Sequence, residues 1–395
     1  MIVKSILFYS DKQVLPDRGG TERVTCILGS YFISKGFRVF FCSRDKISDE
    51  KSVAETFYLP SSDYGTEENV DFIKNLVREK SIDIIINQSC NGYSFKLFGK
   101  SALGNDIKII SVLHFSVYEG LNYFLELLPL EFSILSVRDT CISLYKILKS
   151  PLNKLRALSN KRVRFISLIN ESDKVVLLSK RYIEDILKIT KFTSAANKLV
   201  SIPNPKTFAS VQDDILLNEK DKEILFVGRL SFSDKRVDRI LKVWKNLYLQ
   251  YPLWSLRIVG DGPDRGRLET LSKKWKLERI YFEGIQNSQK FYERASIFLL
   301  SSTHEGLPMV LIEAMEHGVV PVCFDSFGAA QDLIQNGVNG YLIKPFDIKA
   351  YSECVSELVS NEEKRFEMAK SAYISSENYE MQTIGDRWLN LFKEL

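Results

Sequence analysis

Long apolar runs are missing from this 395-residue chain. Stretches such as Val319 to Phe324 fall far short of the ~18 residues that a membrane-spanning helix needs. Met1-Ile-Val-Lys-Ser leads straight into a strand-like segment with no cleavable leader pattern, so a cytoplasmic protein is expected. Histidine is scarce, with only His114, His304 and His317, and none of the six cysteines forms a CxxC pair. A zinc site is therefore not expected, and the cysteines read as reduced, buried small hydrophobes. Charge of one sign is also lacking: 54 Lys and Arg against 50 Asp and Glu leave +4, too little for a chain built to bind nucleic acid. With 45% hydrophobic and 26% charged residues, what is left is a folded globular protein long enough for two domains.

Short apolar runs alternate with amphipathic helical patterns from end to end, the mark of βαβ units and parallel sheets buried on both faces. Strands are predicted at Ser5 to Tyr9, Phe37 to Cys42, Ile82 to Asn87, Lys108 to His114, Lys174 to Ser179 and Lys198 to Pro203. After Ile202-Pro203-Asn204-Pro205 the pattern breaks, and residues 206–222 read as a polar linker. It resumes at Glu223, with further strands at Ser255 to Gly260, Ile280 to Gly284, Ile297 to Ser302, Val319 to Phe324 and Tyr341 to Lys344. The reading is α/β: two doubly wound domains, 1–205 and 223–376, followed by a helix over 377–395 that packs back toward the first. Ligands of such sheets bind at the carboxyl ends of strands, so a cleft between the domains is the expected site.

The strongest chemical signal is His304-Glu-Gly-Leu-Pro-Met-Val-Leu-Ile-Glu-Ala-Met, between a strand and a second apolar run. Pro308 suits a first helical turn, where no backbone donor is needed. Backbone N–H groups near Gly306, Leu307 and Met309 would then favour an anion such as phosphate. Glu305 before the helix and Glu313 on it are expected to reach the site at different depths, and a carboxylate suits vicinal hydroxyls. The alternative has Glu305 capping the helix and Glu313 in solvent. The second signal is Val227-Gly228-Arg229-Leu230 with Lys235, an Arg fork and a Lys point charge at the end of a buried strand, suited to a diphosphate. Gly260-Asp261-Gly262 is followed by Pro263 and lacks a full GxGxxG, so it reads as a loop turn. His317, before Gly318 at a helix end, reads as structural.

These stretches together resemble retaining glycosyltransferases with two Rossmann-like domains (the GT-B fold), of the family that uses nucleotide-diphosphate sugars and carries an E-x7-E motif. Besides Glu305 and Glu313, the resemblance rests on Gly19-Gly20, Ser172 to Val176 with Ser179, Ile202-Pro203-Asn204, Gly228-Arg229-Leu230 with Lys235, Val259 to Pro263, Phe282-Glu283-Gly284 and Asn339 to Leu342. It implies that Glu313 binds ribose, that Arg229 and Lys235 hold the diphosphate, and that Glu305 contacts the transferred sugar. Gly20 would let a loop approach the phosphates, Ile285 and Gln286 would lie beside the base, and His114 would sit near sugar and acceptor. One departure is Asp325-Ser326-Phe327-Gly328-Ala329, where many members have a Gly-Gly pair and an acid.

The activity so implied moves a hexose, from a UDP-sugar by expectation, to a glycan or lipid-linked acceptor in surface polysaccharide or lipopolysaccharide synthesis. No Asp-x-Asp occurs, so no metal or other cofactor is expected, with Arg229, Lys235 and the helix start supplying the positive field. Alternatives on the same fold are a nucleotide-sugar epimerase, a soluble-glucan elongating enzyme, or an idle sugar-nucleotide-binding protein. Finally, residues 118–164 interrupt the first domain. They are rich in Leu, Phe and Tyr and then carry seven basic residues and no acid between Lys146 and Arg164. That mixture predicts peripheral attachment to an anionic membrane surface on its inner face, against the alternative of a helix covering an internal core.

Overall fold

The computed structural model describes residues 5–16, 19–90, 94–123, 137–208 and 220–395. Its chain divides into two compact units: residues 1–117, 155–207 and 379–395, and residues 118–154 with 208–378.

The first unit holds a seven-stranded sheet, β1 Ser5–Lys12, β2 Arg38–Asp45, β3 Glu55–Tyr58, β4 Ile84–Asn87, β5 Lys108–Leu113, β6 Lys174–Leu177 and β7 Leu199–Ser201. Spatial order is β3-β2-β1-β4-β5-β6-β7 and every pairing is parallel. Runs such as Ile84-Ile-Ile are buried on both faces because helices cover each side. Alternation sorts the partners. Leu7, Tyr9 and Ile85 pack with Ile73, Leu76 and Val77 of the helix Glu67–Lys80, whereas Phe8 stacks on Phe32 of the helix Gly20–Ser34. The helix Met381–Lys393 lies on that second helix through Trp388 and Phe392. Gly385 permits the approach, since a Cβ there would stand 2.2 Å from the Tyr31 ring.

The second unit has six strands, β8 Glu223–Val227, β9 Ser255–Val259, β10 Ile280–Gly284, β11 Ile297–Leu300, β12 Val320–Phe324 and β13 Tyr341–Ile343. Their order, β10-β9-β8-β11-β12-β13, reverses direction between β8 and β11. That is the topological switch point, where loops leave neighbouring strands in opposite directions and a crevice opens. The core beneath gathers Phe226, Ile240, Trp244, Ile258, Leu299, Val322 and Tyr351.

Three sequence readings change. The strand β3 was not predicted, because Glu55-Thr-Phe-Tyr is a short, half-exposed edge after a polar stretch. Among the described residues of 118–164 lies one long helix, Val137–Asn170, and residues 118–154 group with the second unit instead of interrupting only the first. Pro308 stands at the N-cap and Met309 opens the helix, one place later than expected. Most of the expected linker, 209–219, and residues 124–136 lie outside the described residues.

Candidate functional site

The loops after β8 and β11, on either side of the switch point, carry Arg229, Lys235 and Glu305. Lys235 Nζ lies 2.5 Å from Glu305 Oε1, and Ser302 Oγ donates to the same oxygen at 2.6 Å. Both charged side chains are largely buried, so the pair is fixed and not a solvated surface contact. The backbones are laced as well: Thr303 N donates to Asp234 O at 2.8 Å, and Ser301 Oγ donates to Lys235 O at 2.7 Å. Arg236, in the left-handed region at φ 49°, turns the chain into the helix Val237–Leu247.

Arg229 is 64% exposed and held from behind, its Nη2 2.7 Å from Asp234 Oδ2. Desolvation alone would raise the Asp234 carboxyl, but hydrogen bonds from Ser231, Arg229 and Ser233 outweigh it and hold the pKa at about 2. The loop is pinned to the one after β9. Leu230 N donates to Asp261 O at 2.9 Å, Asp264 N to Leu230 O at 3.2 Å, and Phe232 N to Asp264 Oδ2 at 2.7 Å. This contact explains Gly260-Asp261-Gly262: a Cβ on Gly260 would stand 2.0 Å from Gly228 O, and one on Gly262 2.4 Å from Leu230 O. The motif is a backbone crossing that props up Gly228 and Arg229.

Glu313 is 4% exposed on the helix Met309–Glu316, and Tyr292 OH donates to its Oε2 at 3.0 Å. The solvated alternative for Glu313 is thereby excluded. Pro308, the N-cap of this helix, makes no side-chain cap hydrogen bond, and Glu305 Oε1 accepts from Lys235 and Ser302. Gly306 and Leu307 are buried and Met309 half-buried in the turn into the helix. Ile285, 84% exposed, and Gln286 follow β10 on the same sheet edge. His317 is buried, its Nδ1 2.7 Å from Glu313 O and its ring stacked on Tyr292.

Sequence reasoning passed over His304 as an active partner. Its Nε2 lies 3.3 Å from Glu119 Oε1, and its Nδ1 is buried with no hydrogen-bond partner among the described residues. The hydrogen bond to Glu119 raises its pKa against the opposing effect of burial. Tyr123 packs edge-on to Phe346 at 4.8 Å, so residues 118–123 are seated on this unit beside the Glu305 loop. No local pattern foretells the contact, which joins positions 185 apart in the sequence from His304 to Glu119.

In the first unit Gly20 opens the helix after β1. His114 follows β5, its Nε2 2.5 Å from Gln88 Oε1, which makes Nε2 the protonated nitrogen and Nδ1 the acceptor. Desolvation of its ring lowers the pKa to about 4. Among the described residues no group of three His, Cys, Asp or Glu is disposed to hold a metal ion. A cavity of about 250 Å³ lined by Lys220, Glu362, Arg365 and Phe366 shares no residue with the loops above.

Residues 209–375 match the family described as "Glycosyl transferases group 1". An uncharacterized glycosyltransferase of Haemophilus influenzae is 35% identical over 56% of this chain and 61% of its own length. The amylovoran biosynthesis glycosyltransferase AmsD of Erwinia amylovora is 31% identical over 45% of this chain and 49% of its own. The chain thus spans about half to three-fifths of these relatives. The solved structure of Anabaena HepE in complex with UDP and glucose superimposes with a TM-score of 0.72 over 99% of this chain and 100% of that one, at 16% identity. At that identity the likeness is one of fold.

Proposed function

Starting from a chain whose residues 209–375 match the glycosyl transferases group 1 family and whose fold is GT-B, we propose that it is a retaining hexosyltransferase. The donor is a UDP-sugar and the acceptor a glycan or lipid-linked glycan of surface-polysaccharide synthesis. The observation that carries this reading is the convergence of Arg229, Lys235 and Glu305 on the loops flanking one switch point. A guanidinium and an ammonium there suit a diphosphate, and the adjacent carboxylate suits sugar hydroxyls. Amylovoran synthesis is the AmsD relative's role, and UDP with glucose is the HepE structure's ligand.

Cleavage of the sugar–phosphate bond leaves an oxocarbenium-like sugar and a diphosphate with added negative charge. Arg229, fixed by Asp234, and Lys235 would stabilise that charge as it develops, without a metal ion. The acceptor hydroxyl attacks from the leaving-group face and its proton passes to the departing phosphate. Glu305 is not the nucleophile in this reading, since Oε1 already accepts from Lys235 and Ser302. Glu313, held by Tyr292, takes the ribose hydroxyls. His114, neutral at physiological pH, and Gly20 keep the roles the family resemblance gives them, as does the base position of Ile285 and Gln286.

The test is a thermal-shift panel of nucleotide sugars followed by assay of UDP release. A ligand at 100 times its Kd stabilises by ~2.7 kcal/mol, enough to read. Stabilisation by UDP-sugars together with acceptor-dependent UDP release supports the proposal. Release with free epimerised sugar would make the chain an epimerase, and binding without turnover an idle sugar-nucleotide-binding protein.

A further inference from the structure

The helix Val137–Asn170 runs 34 residues, about 50 Å at 1.5 Å per residue, and carries an apolar stripe that nothing among the described residues covers. Leu148, Leu152, Leu155 and Val163 are 77%, 60%, 63% and 67% exposed, and Tyr145 is more than half exposed. At about 100° per residue these five positions fall within about 80° of one another. The core side of the same helix, marked by Phe165 and Leu168, points the opposite way.

The basic residues divide by face. Lys161 and Arg164 are spent internally, both over the Phe115 ring at 5.7 and 5.1 Å, with Arg164 also donating to Cys90 O. Lys154 projects toward the other side of the helix from the stripe. Lys149 and Arg156 border the stripe on one side and Arg162 on the other, and all three are exposed. No acidic residue lies between positions 146 and 164.

From the exposed leucine stripe and its flanking cations we infer that this helix lies flat on an anionic lipid bilayer, leucines among the acyl chains and Lys149, Arg156 and Arg162 among the headgroups. An apolar face edged by cations is the composition of an interfacial helix. A second copy of the chain is the rival occupant. Pairing two such stripes would bring six like charges together with no acid to offset them, whereas anionic headgroups complement them. No helix among the described residues is long and apolar enough to cross a membrane, and attachment by a flat-lying face of this kind is reversible. The inference goes beyond the transfer reaction and stands without it. If both hold, the surface brings the enzyme to a lipid-linked acceptor.

The experiment is co-sedimentation of the full chain with vesicles of equal parts phosphatidylglycerol and phosphatidylcholine, and with phosphatidylcholine alone. Wild type is expected to pellet with the anionic vesicles only and to be released in about 1 M salt, where the screening length is ~3 Å. Leu148→Ser with Leu152→Ser and Leu155→Ser, and separately Lys149→Ser with Arg156→Ser and Arg162→Ser, should each lower partitioning at least about tenfold. These side chains are exposed, so melting temperature and UDP-sugar turnover should hold. The charge variant decides if the leucine variant aggregates. Absence of wild-type binding, or unchanged binding by the charge variant, overturns the inference and leaves the transfer reading intact. So does a dimer in sedimentation equilibrium that the leucine variant dissolves.

Discussion

Lys235 and Glu305, 70 residues apart in sequence, form a charge pair across the switch point, Nζ to Oε1 at 2.5 Å. The diphosphate-binding cation and the sugar-binding anion proposed here are therefore one coupled unit. Removing the carboxylate charge releases Lys235 for phosphate.

Glu305→Gln should accordingly bind UDP as tightly as wild type or tighter, while kcat falls on the order of 10²-fold. Lys235→Ala should lose both UDP affinity and kcat, because it also leaves Glu305 without its cation. Calorimetry with UDP, paired with initial rates, separates the two. Weaker UDP binding by Glu305→Gln would contradict the coupling.

The Tyr292–Glu313 hydrogen bond makes a second pair testable. If Glu313 takes the ribose, Glu313→Gln should weaken UDP binding about tenfold or more. Tyr292→Phe should do so to a lesser degree and cost about 1–3 kcal/mol of stability, since the bond is buried and one partner is charged. Equal UDP affinity in all three proteins would remove Glu313 from the ribose site.

With only three histidines, ring titration by NMR resolves each one. His114 should stay neutral down to about pH 4, because its ring is desolvated. Its unfolded form takes a proton near pH 6.5, so between pH 6.5 and about 4 stability falls as pH falls, and His114→Gln should flatten that slope. His304 shifts the other way. Its contribution is full below pH 6.5 and is lost as pH rises through its elevated folded pKa, and Glu119→Gln should bring that pKa down. A normal titration of His304 in wild type would mean that the Glu119 contact is not kept in solution.

Much of this was legible in the sequence, for physical reasons. Twelve of the thirteen strands among the described residues were predicted because parallel strands covered on both faces must be continuous apolar runs, and β3 escaped because an edge strand need not be. Arg229 and Lys235 stand out after a buried strand, Glu305 just before a helix, and Glu313 among Leu311, Ile312 and Ala314 on an otherwise apolar one. Their holders do not stand out. Asp234, Tyr292 and Glu119 act through contacts that only the folded chain creates, and nothing in their local sequence distinguishes them from surface residues. The same blindness hid the purpose of Gly262, legible as a turn but not as a crossing against Leu230.

That crossing yields a stability prediction. Gly262→Ala forces a methyl into the backbone of Leu230, and overpacking of this kind costs about 1–3 kcal/mol. Since the displaced strand end carries Arg229, KM for the nucleotide sugar should rise with the loss of stability. An unchanged melting temperature would show that the two loops are not in close contact.

Retaining transfer is proposed here to be driven by Arg229 and Lys235 without a metal ion. Its most direct test is proton NMR of the glycoside formed from an α-configured UDP-hexose by purified protein in excess EDTA. The account predicts an α-linked product at the same rate with and without chelator, and a rate lowered on the order of 10²-fold by Arg229→Ala. A β-linked product, or turnover abolished by EDTA and restored only by magnesium or manganese, would contradict it.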